Sequence, residues 1–244
     1  AFATNMHFAV NISQWFADIK YYQASASFPL GQGKWGVIGA SIVNVDYGQL
    51  TQTIRADNER GYIITGSFEP QALALGIGYA KMLSDRFSVG GHIRYVYQNL
   101  GNSIMDTDMN DKSNTVSTPV FDFGVLYRTG FRSLNLAIVA RNFSPAVTYE
   151  EVSFEAPLDV RVGVAMNFTD VINPALVGTH DLVMSIEGGH PRSYPEQIRV
   201  GLEYTFADIF SVRAGYVYPS DDQVFSVGAG INIPVHTFVI RANY

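Results

Sequence analysis

The sequence predicts an all-β chain folded as a transmembrane, antiparallel, up-and-down β-barrel, and three observations predict it. Alternation of apolar and polar residues with a period of two recurs in segment after segment, whereas helical periodicity with caps hardly occurs. The alternating segments run about 9–13 residues, longer than the usual strand of a soluble protein and close to the ten or so that a tilted strand needs to cross a bilayer. The connections between them alternate between short and long.

Composition agrees with this class. Of 244 residues only 16% are charged, while 13% are aromatic and 22 are glycine, a lean surface for a protein that faces water on all sides. The formal net charge is −6 and the basic residues are scattered, so nucleic acid is not an expected partner. The absence of cysteine excludes disulfides, thiolate metal sites and cysteine nucleophiles. No apolar run approaches the length of a membrane helix.

Strands are expected at residues 4–12, 18–28, 34–47, 71–82, 86–99, 117–128, 132–142, 157–168, 180–188, 196–206, 210–218, 223–233 and 236–244. The segment 86–99 places Phe87, Val89, Ile93, Tyr95 and Tyr97 on one face and Arg86, His92, Arg94 and Gln98 on the other. In 157–168, Leu158, Val160, Val162, Val164 and Met166 oppose Asp159, Arg161, Gly163, Ala165 and Asn167. In 196–206, Ile198, Val200, Leu202, Tyr204 and Phe206 oppose Gln197, Arg199, Gly201, Glu203 and Thr205. The segment 223–233 repeats the pattern with Phe225, Val227, Ala229, Ile231 and Ile233. The segment 18–28 is ambiguous in phase.

The short connections are 29–34, 83–85, 129–133, 207–208 and a turn at Pro234–Val235; the long ones are 48–70, 101–117, 142–156, 188–196 and 218–223. Short turns on one side and long loops on the other is the outer-membrane pattern. The connection 168–180 breaks it, being long on the short side. Bacterial barrels have an even number of strands with both termini inside. Thirteen strands therefore lead to the expectation that residues 1–244 are one barrel domain lacking a fourteenth strand and an N-terminal plug.

Taken together and in order, WFADIKYYQASASFPLG (15–31), KWGVIGASIVNVDYG (34–48), YAKMLSDRFSVGGHIRYV (79–96), FDFGVLYRTG (121–130), VARNFSP (139–145) and RVGLEYTFADIFSVRAGY (199–216) resemble the PorV/PorQ family, relatives of the FadL outer-membrane barrels. The resemblance spans nearly the whole chain. It implies a fourteen-stranded, FadL-like barrel in the bacterial outer membrane, serving type IX protein secretion. Members of the PorV type accompany the translocon and hand on cargo bearing a C-terminal signal domain. The family's N-terminal small-residue segment and closing strand are not in these residues, in line with the count of strands. The resemblance does not separate the PorV branch from the PorQ branch.

On the expected inner face lie the charges His92, Arg94, Asp122, Arg161, Arg199, Glu203, Arg213 and Arg241, with Arg128, Arg141, Asp159, Asp181 and Glu187. Charges of both signs facing a restricted interior are expected to pair across strands and with a plug. An arginine ladder selecting anions is the alternative, and the mixed signs weigh against it.

Other motifs lack their context. Gly31-x-Gly33-x-x-Gly36 matches a dinucleotide fingerprint but sits in a turn before a strand, with no helix to receive a pyrophosphate. Asp106-x-Asp108-x-Asn110 opens like a calcium loop, yet Asp111 and Ser117 occupy its glycine and closing glutamate positions. The five histidines show no ligand spacing and no nucleophile-elbow motif occurs. No enzyme activity, cofactor or metal is expected.

Function is therefore sought in the outer loops, where Trp15, Phe16, Ile54, Tyr62, Ile64, Tyr149 and Phe154 are apolar among charged neighbours. They either fold the loops over the barrel mouth or form a partner-binding surface. Three readings follow: a non-enzymatic secretion-system barrel that binds translocon or cargo proteins through its loops, a FadL-like channel for hydrophobic small molecules, or a structural component of a larger outer-membrane assembly. Lipid is an expected partner in each.

Overall fold

A computed structural model of the chain describes residues 5–104, 111–149, 152–220, 224–235 and 238–243. The chain is all-β. Its strands are β1 His7–Gln14, β2 Lys20–Pro29, β3 Val37–Asp46, β4 Leu50–Arg55, β5 Tyr62–Phe68, β6 Gln71–Met82, β7 Phe87–Ile104, β8 Asp111–Arg128, β9 Asn135–Phe143, β10 Val147–Tyr149, β11 Val152–Phe154, β12 Asp159–Asn167, β13 His180–Pro191, β14 Gln197–Phe206, β15 Phe210–Tyr218, β16 Phe225–Val235 and β17 Phe238–Asn243.

Thirteen of these form one sheet in the order β1-β2-β3-β6-β7-β8-β9-β12-β13-β14-β15-β16-β17, with antiparallel ladders from β1 to β6 and from β9 to β17. Each answers to one of the thirteen expected segments. The order ends on β1 and β17, and among the described residues no ladder joins them. No described helix is long and apolar enough to cross a membrane, which says nothing about strands.

Three features depart from the expectations. Two long connections contain hairpins of their own, β4–β5 and β10–β11. The connection 168–180 holds a short α-helix, Thr169–Ile172, and a 3-10 turn, Pro174–Leu176, capped by the Asn173 side chain accepting from Ala175 N at 3.2 Å. At the end of β16, Pro234 and Val235 pair with Val239 and Phe238 rather than forming the turn, because alternation continues through them. The glycine motif at 31–36 is a turn, as expected: Gly31, Gln32, Gly33 and Gly36 have φ of 56°, 57°, 89° and 91°. No helix N-terminus follows it, since the chain passes straight into β3.

Two compact units divide the chain. The first comprises 1–81, 90–122 and 142–156. There Phe8, Val10 and Ile12 stand opposite Ala26, Ala24 and Tyr22, and Ile38, Ala40 and Ile42 opposite Tyr79, Ile77 and Leu75. The reverse face carries Ser25 opposite Ser41, and Ser41 opposite Gly76. The register thereby settles the phase of β2.

The second unit comprises 82–89, 123–141 and 157–244. Val164, Ile186, Val200 and Tyr216 are joined through successive ladders on one face, as are Arg161, Gly189, Gln197 and their neighbours on the other. A side-chain period of two keeps both sets intact along each strand.

No conventional core supports the sheet among the described residues. Among the described residues the only buried apolar side chains are Val37, Val45 and Val120, and no large side chain is fully buried. The apolar face is instead exposed, reaching 69% at Ile77, 73% at Phe225 and 87% at Val227.

Candidate functional site

The polar face gathers its charges into separate clusters. In the first unit a row of side chains runs across several strands. Ser41 on β3 and His92 on β7 meet over Gly76 of β6, with Ser41 Oγ 3.2 Å from His92 Nε2. A Cβ on Gly76 would lie 2.6 Å from Ser41 Oγ and would also overlap the His92 ring. The bare backbone of Gly76 is therefore what lets residues two strands apart touch.

His92 Nδ1 stands 3.5 Å from Asp122 Oδ2 on β8. Arg94 Nη2 donates to Asp122 Oδ1 at 2.8 Å and to Asn142 Oδ1 at 2.7 Å, and Asn142 N donates to Asp122 Oδ1 at 2.8 Å. Thus one carboxylate oxygen is held by a guanidinium and a backbone amide while the other is turned to the histidine. His92, Arg94 and Asp122 were expected on one face; Ser41 and Asn142 were not. The signal for Ser41 was its phase in β3, but only the register across β6 connects it with His92.

In the second unit Arg161 lies 2.6 Å from Asp159 and 3.3 Å from Glu187, and Arg199 donates to the same Glu187 Oε1 at 3.1 Å. Arg213 pairs with Glu203 and donates to Asn243 Oδ1 at 3.0 Å. Asp181 accepts from the Asn167 side chain and from Gly178 N. Half-buried pairs of this kind contribute about 1 kcal/mol or less each, so their effect is mainly to fix rotamers and neutralise the face. The side chain of Arg241 lies outside the described ones.

Among the loop residues, Trp15 and Phe16 are exposed and pack at a tilted 6.0 Å between β1 and β2. The β4–β5 register pairs Ile54 with Ile63, Arg55 with Tyr62 and Thr53 with Ile64. Strand alternation then places Ile54 and Ile63 on one face of the hairpin and Tyr62 and Ile64 on the other. Ile54, Tyr62 and Ile64 are close in the hairpin without forming one patch. Phe154 is exposed and pairs with Val147; the side chain of Tyr149 lies outside the described ones.

At the end of β13, His190 Nδ1 lies 3.1 Å from Glu196 Oε1. The Glu196 carboxyl is held below its ordinary range, first by a hydrogen bond to its own backbone and second by His190. Among the described residues no group of three or more acidic or histidine side chains is arranged to hold a metal ion. The Asp106-x-Asp108-x-Asn110 segment lies outside the described residues. No protein-family model and no curated protein matches this sequence.

Proposed function

We propose that the chain is a FadL-like outer-membrane β-barrel of the PorV/PorQ type, acting in type IX secretion by binding translocon or cargo proteins through its outer loops. The observation that carries the membrane part is the segregation of the sheet's faces. Removing a large apolar side chain from water is worth about 1.5–3 kcal/mol, and soluble monomers rarely leave wide contiguous apolar surface wet. Here Phe8, Ile77, Ile93, Phe123, Val212 and Val227 all remain exposed while the reverse face holds paired ions. Lipid is the solvent that such a face fits, with strands as the spanning elements.

The β4–β5 hairpin and the Trp15–Phe16 turn supply exposed apolar groups on a strand scaffold, the usual setting for binding loops. Purification of the tagged, full chain from detergent extracts tests the reading. Recovery from the outer-membrane fraction together with secretion-system polypeptides is expected. Recovery from the soluble fraction overturns the membrane assignment, and a lone barrel enclosing lipid favours the hydrophobic-channel reading instead.

A further inference from the structure

We propose that Ser41, His92 and Asp122 form a nucleophilic site that hydrolyses small acyl esters on the polar face of the first unit. The sequence offered no nucleophile elbow, but such a site is defined by geometry and roles rather than by motif. Ser41 Oγ is within hydrogen-bond distance of His92 Nε2, at 3.2 Å. His92 Nδ1 faces Asp122 Oδ2 at 3.5 Å, longer than a hydrogen bond, and such contacts tighten when substrate binds. Asp122 cannot swing away, because Oδ1 is engaged by Arg94 Nη2 and Asn142 N, both at 2.8 Å. Arg94 and Asn142 are thus positioning residues. The three side chains come from β3, β7 and β8, and bare Gly76 between the first two keeps their path open.

Beside the serine and histidine lies an open trough of about 260 Å³, lined by His7, Ser25, Ser27, Gly39 and Gly78 among others. Apart from His7, Phe8 and His92 its lining side chains are small, which suits a short apolar acyl group. Ser25 stands directly across the ladder from Ser41, so the register sets a second hydroxyl beside the nucleophile, a neutral group of the kind that can donate to a developing oxyanion.

In the first step Ser41 Oγ bonds to the ester carbonyl carbon as its proton passes to His92 Nε2. The tetrahedral alkoxide collapses, the carbon–alkoxy bond breaks, and His92 returns that proton to the leaving alkoxide to release an alcohol. Water then attacks the acyl-serine, giving a proton to Nε2. The Oγ–carbon bond breaks, Oγ recovers the proton, and a carboxylic acid leaves. No oxidant, metal or co-reactant other than water is required.

The site is independent of partner binding by the loops, so the two can fail separately. The test is treatment of the purified, folded chain in detergent with a fluorophosphonate probe, followed by peptide mass mapping. A single phosphonyl adduct on Ser41 is expected, absent in Ser41→Ala and formed at least tenfold more slowly in His92→Gln. Asp122→Asn should lower the labelling rate and alter its pH profile, which a residue that only supports the fold would not do. The folded wild-type protein suffices for the decisive arm. No adduct on Ser41 there overturns the proposal, and so does labelling of correctly migrating His92→Gln at the wild-type rate.

Discussion

Gly189 makes room for Arg199: a Cβ at position 189 would lie 2.7 Å from Arg199 Nη1, the atom that donates to Glu187 Oε1 at 3.1 Å. The glycine on β13 and the arginine on β14 therefore act as one unit. Gly189→Ala should displace the flexible guanidinium and destabilise the protein by about 0.5–1 kcal/mol. In an Arg199→Ala background the same change should cost almost nothing, a coupling that a double-mutant cycle by urea unfolding will read. Full additivity would show that the two positions are independent.

Two glycines with positive φ should respond very differently to alanine. At Gly36 a Cβ would meet Ala80 O at 2.6 Å on top of a φ of +91°, whereas at Gly48, with φ +74°, it would meet nothing within 4 Å. Gly48→Ala should cost about 1 kcal/mol from backbone strain alone. Gly36→Ala should cost clearly more, because backbone must move as well, and the ranking can be read from unfolding midpoints.

Val227 is 87% exposed on the apolar face. Val227→Arg would be harmless on a water-facing sheet, but at a lipid-facing site near the bilayer midplane it should cost about 2–4 kcal/mol. Folding into vesicles, followed by heat-modifiable gel migration, separates the two cases; a wild-type folded fraction would count against lipid contact.

The two faces of the β4–β5 hairpin should not contribute equally to binding. Ile54→Ser with Ile63→Ser removes one apolar pair, and Tyr62→Ser with Ile64→Ser removes the other. Co-purification should fall at least tenfold for one pair only, identifying the docking face, while the sheet stays folded. Equal retention of partners by both variants would move the binding surface to another loop.

Glu196 should titrate below the ordinary glutamate value of 4.5. A carboxyl depressed by folding contributes stability that is fully present above its ordinary value and is lost as pH falls through the lower folded value. His190→Gln should raise the Glu196 midpoint only in part, because the larger cause is the hydrogen bond to its own backbone. Carboxyl chemical shifts followed against pH will show whether that recovery is partial or complete.

The strands of the sheet are legible because a period of two survives in strands such as β12, β14 and β16, whereas the phase of β2 emerges only from its pairing with β1 and β3. The hairpin β4–β5 is not, since a shift in register between Gln52 and Thr53 breaks the alternation where a reader would look for it. His92, Arg94 and Asp122 can be assigned to a common face from phase alone. Ser41 joins them only through the pairing of β3 with β6, a long-range register that no local pattern encodes.

β7 and β8 are each 18 residues long, against 12 for β6, so they exceed it by six. At about 3.3 Å per residue six residues add roughly 20 Å of ribbon, some 14 Å of height at a 45° tilt. β6 alone already matches the thickness of a bilayer. On the proposed membrane reading, the extra length of these two strands would stand clear of the lipid headgroups as ribbon that β6 lacks.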